Sequence, residues 1–147
     1  MKVYRFQQSE RPLPAILLLT HGVLGVSIAQ SAQMILSELE NVAVLALEEG
    51  DDPEAYGEAL GKLVDEYGGN ALLLVDLVGG TPGNQAMQLL KDRPQLCAVG
   101  GLNLTMLIEA VYEREQNSGA TLAQHLTEVA KNGIADLTQI VATLLKT

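Results

Sequence analysis

The sequence predicts an α/β domain, a doubly wound and mostly parallel sheet with helices on both faces. Three observations carry that reading. Short runs of continuously apolar residues recur along the chain, the pattern of strands covered on both sides. Amphipathic stretches at helical spacing alternate with them through short polar connections, which implies right-handed crossovers in one sheet. Of the 147 residues 48% are hydrophobic but only 3% aromatic, so the core must be built from Leu, Val, Ile and Ala.

The elements follow in order. The run from Pro14 to Thr20 is the first parallel strand, and it breaks at His21 into a turn bearing Gly22 and Gly25. Ile28, Ala32, Ile35, Leu36 and Leu39 then mark a helix of about three turns, with Ser27 and Gln30 as its capping pair. Val42–Leu47 is rich in β-branched and aliphatic residues and reads as the second strand. Asp52 and Pro53 open the next helix, because a carboxylate accepts from free amides and proline fits the first turn. Tyr56, Ala59, Leu60, Leu63, Val64 and Tyr67 form its buried stripe, and Gly68 with Gly69 closes it.

Ala71–Leu77 is the third strand, apolar except for Asp76, and the turn Gly79-Gly-Thr-Pro-Gly-Asn84 follows. Thr81 and Pro82 suit the cap and first residue of a helix reaching about Lys91. Gln95–Val99 is a short fourth strand. Asn103 precedes a helix carrying Leu104, Leu107, Ile108, Val111 and Tyr112, and Thr121 starts another that Gly133 interrupts. Lys2–Phe6 fits an added edge strand or a frayed tail, whereas Ile134, Leu137, Ile140, Val141 and Leu144 fit a helical period or a short edge strand. No internal repeat or linker divides the chain, so residues 1–147 are expected to form one domain.

Bulk properties narrow the function. A formal net charge of −9 without any Lys/Arg cluster repels phosphate backbones, which excludes nucleic acid as an expected partner. Cys97, the single cysteine, lies in an apolar stretch and is read as a small buried hydrophobe, so neither a disulfide nor a cysteine metal site is available. The apolar runs are too short to span a bilayer and the polar amino end lacks a signal core, so a cytoplasmic protein with no membrane insertion is expected.

His21 and Asp76 carry the candidate chemistry. In a sheet of order 2-1-3-4, counted from the Pro14–Thr20 strand, both reach the carboxyl edge on adjacent strands, where open α/β sheets bind ligands. A carboxylate on one ring nitrogen fixes the tautomer and leaves the other nitrogen free to attack. That chemistry needs no metal and no cofactor. Gly79, Gly80, Thr81 and Asn84 supply a glycine-rich turn entering a helix amino terminus, suited to an anion, and Gly22 adds the turn beneath the histidine. Asp76 also demands explanation on its own, since an acid in an apolar strand costs several kcal/mol unless partnered or near water. Arg5, Arg11, Arg93 and Arg114 lie away from both turns in sequence, which disfavours a phosphatase-type site. His125, among Leu122, Leu126 and Val129, is read as structural.

Three motifs in this order, Thr20-His21-Gly22, Leu74-Val-Asp76-Leu-Val-Gly79-Gly-Thr-Pro82-x-Asn84 and Val99-Gly-Gly-Leu-Asn103-Leu-Thr-Met-Leu107, resemble the mannose-type enzyme IIA family of the bacterial sugar phosphotransferase system. The likeness covers about residues 15–135. It implies a phosphocarrier in which His21 takes a phosphoryl group from phospho-HPr and passes it to an enzyme IIB for mannose-family sugar uptake. It further implies that Asp76 is the carboxylate that orients the histidine and that Thr81 stands at the Ser/Thr of the family's turn; with Gly79, Gly80, Gly22 and Asn84 it makes up the expected phosphate-binding set. A homodimer that exchanges an antiparallel edge strand near Gly133–Val141 is also implied. Gly83 departs from the family, where a bulkier residue commonly follows the proline, and residues 1–13 precede the usual start. The alternatives are a phosphocarrier of the dihydroxyacetone-kinase type and a regulatory module phosphorylated on the same scaffold.

Overall fold

A computed structural model describes residues 1–146. It contains a five-stranded sheet in the order β1-β3-β2-β4-β5, formed by β1 (Lys2–Arg5), β2 (Ala15–His21), β3 (Val42–Leu47), β4 (Ala71–Val75) and β5 (Cys97–Gly100). From β3 to β5 all pairings are parallel, with Leu18 opposite both Val44 and Leu74 in the middle of the sheet. The order expected for the four parallel strands is the one observed.

Because successive strand residues point to opposite faces, the sheet sorts its side chains into two cores. Ile16, Leu18, Val42, Val44, Leu72 and Leu74 meet α1 (Leu24–Leu36), α4 (Leu104–Glu113) and α5 (Gly119–Asn132). Leu17, Leu19, Leu45, Leu73 and Val75 meet α2 (Pro53–Glu66) and α3 (Thr81–Asp92). Asp52 caps α2 by accepting from the Ala55 amide at 2.9 Å, as its sequence predicts. Tyr56 on α2 is fully buried and donates its hydroxyl to the Leu45 carbonyl, 2.8 Å away, so its polar end is satisfied inside the core. Burial pushes that phenol well above its ordinary pKa.

Several expectations need correction. The helix after His21 is not capped by Ser27 and Gln30, since it already begins at Leu24, and Val23 stands at its N-cap without a side-chain bond. Its buried face is Gly25, Ala29 and Ala32, while Ile35 is 59% exposed. Small residues prevail there because α1 lies close on the sheet. The fifth, antiparallel strand comes from the amino end: β1 pairs with β3, Val3 opposite Leu45. Of the two readings of the carboxyl segment, helix and edge strand, this chain forms the helix, α6 (Leu137–Leu145), capped by Asp136 and burying none of its residues.

The amino edge of the sheet is tied by polar groups that the sequence does not announce. Arg114, buried at the end of α4, donates through Nη1 to the Pro14 and Asn41 carbonyls (3.1 and 3.3 Å) and through Nη2 to that of Glu40 at 2.7 Å. Among the described residues its guanidinium has no paired carboxylate, and burial lowers its pKa to about 10. Asn41 holds a left-handed φ of 52° and donates its side-chain amide to the Leu13 carbonyl.

The close approach of α1 is testable. A methyl group at Gly25 would stand 2.8 Å from Val44 Cγ1 and 3.2 Å from Leu18 Cβ. Overpacking of that kind costs about 1–3 kcal/mol, against a gain of about 1 kcal/mol in helix propensity. Gly25→Ala is therefore expected to lower the urea midpoint. Gly61→Ala in α2, whose nearest neighbour would be Arg93 Nη2 at 3.8 Å, is expected to raise it by the propensity gain.

Candidate active site

His21 ends β2 and Asp76 follows the last residue of β4, so the two neighbouring central strands deliver an imidazole and a carboxylate to the same edge. The ladder explains the alignment. Asp76 N–H donates to the Leu19 carbonyl at 3.2 Å, and one residue further the Asp76 side chain takes over from the backbone. Its Oδ2 accepts the His21 main-chain N–H at 2.8 Å, while the ring Nδ1 lies 3.1 Å from Oδ2 and 3.3 Å from Oδ1. A carboxylate offers no proton, so Nδ1 carries the hydrogen and Nε2 keeps its lone pair. The Asp76 side chain is only 8% exposed and that of His21 47%, which puts the anchor inside and the reactive nitrogen at the surface. The burial cost of Asp76 is thus met by two hydrogen bonds and an opening to solvent.

Two turns hold the ring in place. Thr20 is fully buried; its hydroxyl donates to the Gly22 carbonyl at 3.0 Å and accepts the Gly25 N–H at 3.1 Å, which bridges strand end and helix start. This residue lay inside the recognised Thr20-His21-Gly22 motif, but its task was not foreseen. A hydroxyl five residues before an uncapped helix amide is the signal that could have found it. Gly22 adopts φ 58° and donates its N–H to the Leu47 carbonyl at 2.7 Å, so it shapes the turn and has no amide left for an anion.

The second turn runs past the ring on its other side. Gly79 has φ 97°, a conformation open to glycine at little cost, and Gly80 is the N-cap of α3. Thr81 and Pro82 are the first two helical residues, one position later than their sequence suggests. Among the described residues, the N–H groups of Gly79, Gly80 and Thr81 donate to no protein acceptor. They lie at the positive end of the α3 dipole. A Cβ built on Gly80 would fall 2.6 Å from His21 Cε1 and 3.0 Å from Nε2, which places the ring directly over this backbone. Asn84 turns its side chain back toward the Gly79 carbonyl, a long 3.5 Å contact. Gly83 is buried, its would-be Cβ 2.9 Å from the Leu77 carbonyl, so this turn excludes a bulky residue after the proline.

The arginines lie elsewhere. Arg5 pairs with Glu66, Arg11 with Glu115 and Arg93 with Asp65, each on the surface, and Arg114 is held by carbonyls.

Fold and site together present a surface imidazole, braced by a carboxylate, at the carboxyl edge of an open parallel sheet beside a helix amino terminus, where such sheets bind ligands. The family model described as the PTS system fructose IIA component matches residues 15–127, and the chain belongs to that family. It is 31% identical over 128 residues to the PTS system mannose-specific EIIAB component of Escherichia coli (strain K12), covering 84% of this chain and 39% of that protein. Against the PTS system sorbose-specific EIIA component of Klebsiella pneumoniae the identity is 32%, over 75% of this chain and 82% of the relative. Among solved structures, the mannose/sorbose specific IIA subunit of Enterococcus faecalis superposes with a TM-score of 0.76 at 33% identity, covering 84% of this chain and 94% of that one. The chain spans about two fifths of the length of the first of these relatives. No described helix is long and apolar enough to cross a membrane.

The imidazole leaves no space for a side chain at Gly80. Gly80→Ala would displace a ring that Asp76 holds from the other side, so the expected outcome is an unchanged far-ultraviolet circular dichroism spectrum. Reactivity of His21 toward a histidine-directed acylating reagent should change at least about threefold, followed by mass spectrometry.

Proposed function

We propose that this protein is a phosphocarrier of the sugar phosphotransferase system, taking a phosphoryl group on His21 Nε2 from phospho-HPr and giving it to an enzyme IIB. The observation that carries the reading is the double hold of Asp76 on His21, main chain and ring together, with Nε2 left facing the amino end of α3.

The Nε2 lone pair attacks phosphorus in line with the donor's phosphorus–nitrogen bond. As that bond breaks, its electron pair returns to the donor imidazole, and the new bond forms on Nε2. Nδ1 keeps its proton throughout, so the phosphorylated ring is cationic, and the Asp76 carboxylate neutralises it. The free N–H groups of Gly79, Gly80 and Thr81, with the Thr81 hydroxyl, receive the phosphoryl oxygens. The transfer onward is the same displacement in reverse.

The surroundings suit protein donors and acceptors. Val23 and Leu24 on the His21 side, and Leu77, Val78 and Met87 on the side of the second turn, are large apolar residues 46–74% exposed. Such an apolar rim around a polar centre is a docking feature rather than a sugar pocket. The mannose and sorbose specificities in the names of the relatives belong to those proteins; for this chain a mannose-family sugar is the proposal. A cytoplasmic setting and a homodimer are proposed with it.

Two outcomes test this. Incubated with labelled phosphoenolpyruvate, enzyme I and HPr, the wild-type chain is expected to take up acid-labile label and pass it to an enzyme IIB, while His21→Ala takes up none. Retention of label without onward transfer would instead favour a regulatory module. Asp76→Asn is expected to fold, since the amide can still accept from the His21 N–H, but to slow phosphorylation by about 10²-fold because it cannot neutralise the imidazolium. Quench-flow rates equal to wild type would remove Asp76 from the step.

A further inference from the structure

His125 is not isolated. On α5 its Nε2 lies 3.2 Å from Oε1 of Glu109, and Glu113, one turn further along α4, brings a second carboxylate to the same place. One ligand atom from each of Glu109, Glu113 and His125 falls within 4.8 Å of the other two, and all three side chains are half-buried between the packed helices. From this juxtaposition we propose a binding site for a divalent transition-metal ion, with zinc as its representative, held by His125 Nε2 and the carboxylates of Glu109 and Glu113.

The chemistry of the donor set favours such an ion. Two carboxylates at i and i+4 on one helix repel each other. Among the described residues neither forms an ion pair with Lys or Arg; the neighbours they have are His125 and the Asn117 amide, which donates to Glu113 Oε2 at 2.6 Å. A dication on the inner side of the pair removes that repulsion, and Asn117 remains as the group that orients Glu113 from outside, as outer hydrogen bonds do around metal ligands. Imidazole nitrogen selects zinc, copper or nickel over magnesium and calcium, which prefer all-oxygen shells. Three protein ligands leave a fourth position for water. A tetrahedral ion with bonds of about 2.1 Å requires ligand atoms roughly 3.4 Å apart, and the three lie within 4.8 Å of one another without it.

The site is distinct from the His21 centre. α4 begins just beyond β5, at the edge where His21 lies, and runs to Arg114, whose guanidinium reaches the carbonyls at the opposite edge. Glu113 immediately precedes Arg114, so the bound ion would clamp α4 to α5 toward the far end of the molecule.

The experiment uses the untagged full chain, stripped with chelator and dialysed. Zinc chloride titrated into it in a calorimeter is expected to bind at one equivalent with micromolar or tighter affinity, and magnesium chloride to give no comparable heat. At about a hundredfold excess over Kd the zinc form should melt about 9 °C higher. His125→Gln and Glu113→Gln, each first shown to fold by circular dichroism, are expected to weaken zinc binding at least tenfold, whereas His21→Ala leaves it unchanged. Absence of one-equivalent binding in the wild type, wild-type affinity in folded His125→Gln, or loss of binding in His21→Ala would each overturn the assignment.

Discussion

The arrangement depends on a side chain that replaces a backbone group. Where β4 ends, the carboxylate of Asp76 continues the pairing with β2 by accepting the His21 N–H, and the same oxygen holds the ring. One residue thus fixes the position of the main chain, the ring plane and the tautomer of the histidine. Because both anchor points belong to neighbouring strands in the middle of the sheet, neither can shift without disturbing pairings that run through Leu18 and Leu74. The precision of the site is inherited from the most buried part of the fold.

The rest of the molecule can be seen as support for that edge. Alternation of side chains sends Leu17 and Leu19 to one core, and Ile16 and Leu18 to the other, so β2 is gripped from both faces up to the residue before Thr20. Thr20 is itself buried, and its hydroxyl turns the chain into α1 without a conventional cap. At the opposite edge Arg114 and Asn41 bind main-chain carbonyls around the start of β2 and β3. The strand that carries His21 is fastened at both ends by polar groups and along its length by apolar ones.

Most of this fold was legible in the sequence, because parallel strands buried on both faces leave apolar runs that little else imitates. The order of the four parallel strands fits the alternation of strands and helices through short connections, and it brings His21 beside Asp76. What escaped was set by tertiary contact. Lys2–Arg5, which the sequence leaves between edge strand and frayed tail, is a strand through its pairing with β3. Ser27 looked like a cap, but the Thr20 hydroxyl had already started the helix upstream. At the site, His21 and Asp76 were readable as residue types at strand ends, whereas Gly22 differs from expectation because its amide is consumed by Leu47. His125 appeared solitary since its carboxylate neighbours are 16 and 12 positions away in the chain, a separation that only helix packing closes.

The second turn presents amides and a helix end but, among the described residues, no fixed positive side chain, on a chain whose formal net charge is −9. Guanidinium clamps would hold an anion tightly and make it slow to depart; oriented peptide amides in a negatively charged body stabilise it less. Under the proposed role, cargo resting on Nε2 would remain at high transfer potential, sheltered enough to persist between encounters yet ready to leave when a better acceptor docks. Looseness of grip is then a working property of the molecule, written into its backbone.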